Sequence, residues 1–348
     1  MQKIRRLLNE IDEQPDVLQR LIAAKQSVMD DIVREFHERD VHMVLIAARG
    51  TSDNVAIYAK YLLGAQNGLP VALAAPSLYT LYDAPPRLKN TLVLGISQSG
   101  RSPDIVSVIQ NARRQGMLTV AITNTPDSPL GDAAAHIIDC RAGEEQCVAA
   151  TKSYTAQLMT IALLSVALSG DTTRRAQLET IPDAVAATLK LGETIAYCAE
   201  RYRYMSDCAV LARGCNYATA FEVALKIKEM TYSRANAYSS ADFMHGPIAV
   251  VDEGFPVIVV APDGRTCSDM LNISRELHRR EAEIIAISDR QEILDLATTP
   301  LKLPVSVPEW LSPITAVVPG QLFAYYLALA RGVDPERPRG LRKVTETH

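Results

Sequence analysis

Three serines, a glutamine and an arginine stand together where a strand is expected to end and a helix to begin. The run Ser-Gln-Ser-Gly-Arg-Ser at 97–102 follows the apolar stretch 91–96 and precedes a helical stretch that starts at Pro103. Such a turn gathers backbone N–H groups at the positive end of a helix dipole, so it can bind an anion. It lacks the Gly-Lys-Ser/Thr of a nucleoside triphosphate loop, so the expected ligand is a single phosphate on a small molecule. The alternative is a serine-rich helix cap that binds nothing.

A second group capable of chemistry lies on one predicted helix. Glu222 and Lys226 are four residues apart, and Lys226 and Glu229 are three apart, so all three side chains share a helix face. A charged face of this kind is most often simply solvated. Here the helix follows the end of a predicted strand, where a carboxylate beside a lysine could act as a general base.

Two other places are candidates for proton transfer or ligand contact. His245 is followed by Gly246-Pro247, which indicates a defined turn, although a lone histidine is usually structural or exposed. Ala150 and Thr151 are expected in the first turns of a long apolar helix, where they either line a ligand or belong to a capped core helix. The histidines are dispersed and form no metal-binding motif, so we predict neither a metal nor another cofactor.

Alternating strands and helices are expected to position these residues. Apolar runs typical of buried strands (91–96, 118–123, 256–260 and 284–288) are separated by helical stretches (52–65, 103–115 and 219–230). That alternation predicts an α/β fold with doubly wound parallel sheets, whose ligands bind beyond the carboxyl ends of the strands. The turns 49–52 and 97–102 both lie at such ends and are expected to face one crevice.

The chain also contains a weak internal repeat. Arg49-Gly50 recurs as Arg213-Gly214, and each pair is followed, the same number of residues later, by the end of an apolar run and then by a Gly-Arg pair. We therefore predict two tandem flavodoxin-like three-layer subdomains, at 38–170 and 199–330. A helical segment at 1–37 would precede them, a helical linker at 171–198 would join them, and a tail at 331–348 would follow. Only the first repeat has the serine turn.

Composition excludes several classes of partner. The net charge is −4, basic residues are scattered and aromatic residues make up 5%, so nucleic acid is not an expected partner. The N-terminus lacks the apolar core of a signal peptide, and the apolar stretch at 158–168 is too short to span a bilayer. We expect a cytoplasmic protein that does not bind a membrane.

Taken together, these residues resemble the SIS (sugar isomerase) family, in particular its aminosugar-phosphate branch. That branch contains the isomerase half of glutamine–fructose-6-phosphate aminotransferase and the SIS-type glucosamine-6-phosphate deaminases. The matching segments follow the family's order over nearly the whole chain: Glu13–Pro15, Arg49–Ser52, Ser97–Ser102, Arg141–Glu145, Val148–Lys152, Ala224–Glu229, His245–Pro247 and Gly340–Val344.

The resemblance implies a role for each matching residue. The sugar phosphate would be held by Ser52, Ser97, Gln98, Ser99 and Ser102. The rest of the sugar would contact Thr51, Val148, Ala150 and Thr151.

The resemblance also implies the catalytic groups. Glu229 would move a proton between C1 and C2, supported by Glu222 and Lys226. His245 would assist ring opening from a neighbouring subunit, which implies a homodimer. Lys343, which spacing alone would leave as a solvated terminal lysine, matches the family's lysine that engages the keto sugar.

The resemblance predicts an enzyme that converts an aminosugar phosphate into a ketose phosphate and ammonia. The sequence lacks the glutaminase domain of the aminotransferase, so we do not expect it to take ammonia from glutamine. Where the family usually has glutamate, glutamate and serine, this chain has Asn236, Asp242 and Ala150, all near the sugar end of the site. The alternatives are a deglycase of a phosphorylated fructosyl-amine, a simple aldose–ketose isomerase and a non-catalytic sugar-phosphate sensor.

Overall fold

The computed structural model, which describes residues 5–24 and 27–343, contains two five-stranded parallel sheets. The strands of the first sheet are β1 Met43–Ala48, β2 Val71–Leu73, β3 Thr91–Ser97, β4 Leu118–Thr123 and β5 His136–Asp139. The strands of the second sheet are β6 Asp207–Ala212, β7 Arg234–Ser239, β8 Pro256–Val260, β9 Glu283–Ser288 and β10 Thr299–Lys302.

Helices connect the strands and flank the sheets. Those that precede or belong with the first sheet are α1 Arg6–Asp12, α2 Gln14–Ala23, α3 Ser27–Glu38, α4 Thr51–Asn67, α5 Ser77–Thr80, α6 Pro103–Arg114, α7 Pro129–Ala133, α8 Lys152–Ser169 and α9 Thr172–Leu178. The later ones are α10 Ile181–Leu189, α11 Gly192–Arg201, α12 Tyr217–Thr231, α13 Ser240–Met244, α14 Cys267–Arg279, α15 Gln291–Leu294 and α16 Ser312–Ala330.

The chain divides into two units, each assembled from separate stretches. The first-repeat unit contains Asp16–Glu145, Lys152–Glu179 and the described residues after Leu341. The second-repeat unit contains the described residues up to Pro15, Gln146–Thr151 and Thr180–Leu341. Each unit therefore has its own sheet and its own core.

The strand order confirms the internal repeat. The first sheet runs β2-β1-β3-β4-β5, and the second, read from its other edge, runs β7-β6-β8-β9-β10. The first strand of each repeat therefore lies between the second and third, so that β3 and β8 are equivalent. The predicted α/β architecture of two doubly wound parallel sheets is confirmed.

Continuous apolar runs explain why the central strands form. All seven residues of β3 and all six of β4 are buried, as expected for parallel strands covered by helices on both faces. In the first-repeat unit, β3 and α6 contribute Val93, Ile105 and Ile109 to one core cluster. In the second-repeat unit, β8 and α14 contribute Val257 and Met270 to another.

Helix α16 is the main apolar helix of the second-repeat unit. It has the length and apolar character of a membrane span, but 83% of its most apolar window is buried inside the protein. It packs on α10, α11 and α12. The apolar stretch 158–168 lies within α8, and the longer apolar helix α16 is not among the helices that the sequence predicts.

The predicted elements agree with the observed ones except at the sheet edges. The central strands and the helices α4, α6 and α12 lie within a few residues of their predicted bounds, while the edge strands β2, β5, β7 and β10 were not predicted. The predicted helical linker is interrupted after Leu178, and Pro182 lies in the first turn of the next helix, α10, where proline is tolerated. Residues 1–4 and 25–26 of the predicted N-terminal segment, and residues 344–348 of the tail, lie outside the described residues.

Candidate functional site

The serine turn connects the centre of the first sheet to a helix. β3 ends at Ser97, and α6 begins at Pro103 with Ser102 in the N-cap position. β1 pairs with β3 so that Ala48 lies beside Ile96, which places the turn 49–52 next to the turn 97–102. Both turns lie at the carboxyl ends of neighbouring strands, as the sequence predicts.

The hydrogen bonds within this turn argue against a simple helix cap. Ser102 has the extended backbone of an N-cap, but its side chain makes no capping hydrogen bond to α6. Ser97 Oγ instead accepts a hydrogen bond from the backbone N–H of Gly100 at 3.2 Å, and Ser99 Oγ accepts one from Arg101 N–H at 3.4 Å. Gly100 has a φ of 65°, and a Cβ there would collide with Ser128. The turn is thus folded tightly around a left-handed glycine.

Ser52, in the neighbouring turn 49–52, contacts the long apolar helix of the same unit. Its hydroxyl donates to Oε1 of Gln157 on α8 at 3.1 Å, and both residues are buried. Nε2 of Gln157 has no hydrogen-bond partner among the described residues. A buried amide donor without a partner is rare in folded proteins. The first turn of α4, which carries Thr51 and Ser52, therefore adjoins an unsatisfied donor.

An ion pair links the turn 49–52 to the helix that follows the serine turn. Nε of Arg49 donates to Oδ2 of Asp104 at 2.7 Å, and the buried Asp104 carboxylate also accepts from the N–H of Ile105. Burial raises the pKa of the neighbouring Asp53 carboxyl, and the charge of Arg49 opposes this rise. These contacts fix the turn 49–52 to the N-terminus of α6.

Lys343 has a specific partner in the first-repeat unit. Its Nζ lies 2.8 Å from Oε2 of Glu145, whose side chain is fully buried. Glu145 also accepts hydrogen bonds from the Ser153 N–H at 3.1 Å and from the Ser153 hydroxyl at 2.7 Å, at the start of α8. Spacing alone predicts that Lys343 is fully solvated. That prediction is wrong, because the Glu145 carboxylate holds the Lys343 ammonium.

In the second-repeat unit, the charged face of α12 is buried rather than solvated. Lys226 is fully buried, and its Nζ lies 3.4 Å from Oε1 of the fully buried Glu222 and 2.6 Å from Oε2 of Glu229. Glu229 retains 19% of its side-chain exposure. The arrangement is a buried cation between two carboxylates, of which only Glu229 reaches the surface.

The stretch 146–151 also belongs to the second-repeat unit. Oε1 of Glu10, on α1, accepts hydrogen bonds from the backbone N–H groups of Gln146 at 2.6 Å and Cys147 at 3.3 Å. Gln321 on α16 donates to the carbonyl oxygen of Thr151 at 3.4 Å. Val148, Ala150 and Thr151 thus lie in a stretch held by hydrogen bonds at both ends. The expectation that Ala150 and Thr151 lie in the first turns of the long apolar helix is wrong, because α8 begins at Lys152 and both residues precede it.

His245 ends the short helix α13 and is exposed. Its neighbours Met244 and Val250 are also exposed, with 51% and 56% of their surface accessible. The turn itself is well defined, because His245 N–H donates to the carbonyl of Asp242 and Ala249 N–H donates to that of Gly246. The structure thus shows the defined turn that the Gly-Pro pair predicts.

Sequence reasoning missed two site-building residues, Glu145 and Glu10. Both are glutamates that act through backbone and side-chain hydrogen bonds to residues distant in sequence. The sequence indicates Glu145 only through the segment 141–145 that resembles the family, and it offers no signal for Glu10. The family resemblance is therefore the signal that could have drawn attention to Glu145.

Comparison with known proteins places this architecture in a family. Residues 39–167 and 207–331 match the SIS domain family model. The chain is 35% identical over 352 residues to glutamine–fructose-6-phosphate aminotransferase (isomerizing) of Gloeobacter violaceus, a match that covers 97% of this chain and 58% of that protein. The chain thus spans a little over half the length of the curated relatives it matches.

Solved structures show the same similarity. The C-terminal domain of glucosamine-fructose-6-phosphate aminotransferase from Francisella tularensis superimposes with a TM-score of 0.87 at 27% identity, covering 97% of this chain and 99% of that one. A protein from Silicibacter pomeroyi DSS-3, provisionally named a phosphosugar isomerase, gives a TM-score of 0.83 at 35% identity and covers 95% and 99%. With two matching segments that span most of the chain, the protein belongs to the SIS domain family.

Proposed function

We propose that this chain is a phosphosugar isomerase that deaminates an aminosugar phosphate such as glucosamine 6-phosphate, giving a ketose 6-phosphate and ammonia. The observation that carries the proposal is the buried Glu222–Lys226–Glu229 cluster, in which one carboxylate reaches the surface. A proton-transfer catalyst needs such a group: anionic, held in one place and accessible to a substrate. The names of the relatives, which refer to isomerisation and to fructose 6-phosphate, support the same reaction class.

In the proposed reaction, Glu229 moves one proton. The open-chain aldose loses its C2 proton to the Glu229 carboxylate, and the resulting enol-amine regains a proton at C1. The product is a 2-imine, which water hydrolyses to the ketose phosphate and ammonia. The buried Lys226 ammonium keeps Glu229 oriented during both transfers, and Glu222 balances the charge of Lys226.

We assign the phosphate to the serine turn of the first-repeat unit. Ser97, Gln98, Ser99 and Ser102 supply donors at the N-terminus of α6, and the capping position of Ser102 leaves its hydroxyl uncommitted to the helix. The resemblance to the family assigns the keto form of the sugar to Lys343, which Glu145 holds at 2.8 Å.

We also propose that the protein works as a cytoplasmic homodimer. The resemblance assigns His245 to the site of a neighbouring subunit, where it would assist ring opening. The exposure of His245 together with the apolar Met244 and Val250 supports this assignment, because exposed apolar side chains that flank a polar residue are typical of subunit contacts.

Release of ammonia from glucosamine 6-phosphate tests the proposal. The native chain should release ammonia and ketose 6-phosphate in equal amounts, and Glu229→Gln should lower turnover about 10²–10⁴-fold. Glu253→Gln, which removes an exposed carboxylate from the same unit, serves as the matched control and should leave turnover unchanged.

The other outcomes separate the alternatives. Interconversion of glucose and fructose 6-phosphates without ammonia release would indicate a simple isomerase. Turnover of a phosphorylated fructosyl-amine alone would indicate a deglycase. Tight binding without turnover, unchanged in Glu229→Gln, would indicate a sensor.

A further inference from the structure

The second repeat has a turn of different sequence at the position that the serine turn occupies in the first repeat. Because β8 is the counterpart of β3, the residues 261–266 between β8 and α14 occupy the place that 97–102 occupy in the first repeat. The surroundings are repeated as well. Arg213 approaches Asp269 of α14 at 3.9 Å, as Arg49 approaches Asp104 of α6. The backbone framework of an anion-binding turn is therefore present twice.

The turn of the second repeat already holds an anion, which is the chain's own Glu309. Oε2 of Glu309 accepts a hydrogen bond from the Arg265 N–H at 2.9 Å. Oε1 accepts one from the Thr266 N–H at 3.3 Å and one from the Thr266 hydroxyl at 3.0 Å. Two backbone amides and a hydroxyl at the start of a helix are the donor set that binds phosphate oxygens in other proteins.

Gly264 makes room for this carboxylate. A Cβ at Gly264 would lie 2.6 Å from Cδ and from Cγ of Glu309, and the φ of 155° is one that side chains rarely adopt. Thr266, in the N-cap position of α14, makes no side-chain capping bond to its own helix. The backbone N–H groups at this end of α14 therefore donate to Glu309, a residue distant in sequence that lies between β10 and α16.

We propose that the turn 263–266 is a second oxyanion site, closed by Glu309, and that Glu309 is the residue that limits the protein to one phosphate monoester per chain. A carboxylate and a phosphate carry the same kind of acceptor oxygens, so the internal side chain satisfies the turn in place of a ligand. The second repeat is thereby left without an external phosphate, although it retains the backbone that would bind one.

Removal of Glu309 should open the site to inorganic phosphate. Equilibrium dialysis with radiolabelled phosphate counts the ions bound per chain at saturation. We expect Glu309→Ala to bind one phosphate more than the native chain, and the additional Thr266→Ala change to weaken that extra binding at least tenfold. An equal count for the native chain and Glu309→Ala would overturn the proposal, as would an extra site insensitive to Thr266→Ala.

The number of phosphate ions bound by the native chain tests the proposed function separately. A native count of zero would contradict phosphate binding at the serine turn, whereas the increment of one in Glu309→Ala tests only the second turn. Glu253→Ala, which removes an exposed carboxylate from the same unit, is the charge control and should leave the count unchanged.

A second variant keeps the proposal testable if Glu309→Ala does not fold. Glu309→Gln retains the volume of the side chain but places a neutral amide against the same two N–H groups. We expect its unfolding temperature to fall by several degrees, because the turn then lacks its anion. A Glu309→Gln chain as stable as the native one would show that the turn does not need a negative charge.

Discussion

Nζ of Lys226 lies 2.6 Å from Oε2 of Glu229, one turn further along α12, and this contact joins a fully buried cation to a partly exposed carboxylate. Such a pair is expensive to build, because the lysine must leave water completely. The second contact of Lys226, to Glu222, offsets part of that cost. The Lys226 ammonium thus holds the Glu229 carboxylate at the surface, where a substrate proton could reach it.

Lys226→Met should therefore impair both stability and turnover. Loss of the cation leaves the buried Glu222 without its counter-ion, so we expect the free energy of unfolding to fall by about 3–5 kcal/mol. Turnover should fall as well, because Glu229 loses the group that orients it. Denaturant unfolding and steady-state kinetics measure the two effects.

The neighbouring Lys228 provides the control. It lies on the same helix but is exposed, so Lys228→Met should change the stability by less than about 0.5 kcal/mol. Equal effects of the two substitutions would contradict the importance of the buried position.

Changes in the serine turn should weaken substrate binding more than chemistry. Ser99→Ala and Ser102→Ala each remove a hydroxyl assigned to the phosphate, so we expect KM to rise roughly 10–100-fold, the equivalent of one hydrogen bond to a charged group. The kcat should change little. Ser107→Ala, on α6 but outside the turn, is the matched control. Were Ser102 only a helix cap, its substitution would lower stability and leave KM unchanged.

Glu145→Gln should act through Lys343. The substitution removes the charge that holds the Lys343 ammonium at 2.8 Å, so the tail should become more accessible to hydrogen exchange and turnover should fall. Because both residues belong to one contact, Lys343→Met should have a smaller additional effect in the Glu145→Gln chain than in the native chain.

The adjacent Glu144 is exposed and gives a matched control. Glu144→Gln should leave the exchange of the tail and the turnover as in the native chain. Strictly additive effects of Glu145→Gln and Lys343→Met would mean that the contact does not contribute to function.

Asp53 should make stability depend on pH. Burial raises its pKa above the ordinary 3.8, against the effect of the Arg49 charge, so the folded chain holds this proton more tightly than the unfolded chain does. The carboxyl therefore favours folding below its ordinary pKa, and this contribution is lost as the pH rises through the pKa of the folded state.

We accordingly expect Asp53→Asn to raise the unfolding temperature at neutral pH and to have almost no effect at pH 3. Thermal unfolding across this range measures the difference, with the exposed Asp30→Asn as control. A difference between Asp53→Asn and the native chain that is the same at pH 3 and pH 7 would contradict the prediction.

The sequence predicts the central part of the fold well, because buried parallel strands are continuous apolar runs. The edge strands escape prediction for physical reasons. β2 has only three residues, β10 contains a proline, and β7 mixes buried and exposed positions from Arg234 to Ser239. These strands form because a neighbouring strand is already in place, which no local pattern reveals.

The same distinction applies to the candidate site. Spacing places Glu222, Lys226 and Glu229 on one face of a helix, but it does not tell a buried face from a solvated one. Lys343 depends on a family resemblance, since the carboxylate that holds it is 198 residues away. The roles of Glu145 and Glu309 cannot be predicted from local sequence, because their partners come close only in the folded chain.

The stretches 5–15 and 146–151 belong to the second-repeat unit, although most of that unit lies after Thr180, and this limits how the chain can be divided. No single break in the gene separates the two repeats cleanly, because a fragment that ends before Thr180 keeps both stretches but loses the sheet of the unit to which they belong. Neither unit can therefore be cut out of the chain as one continuous piece.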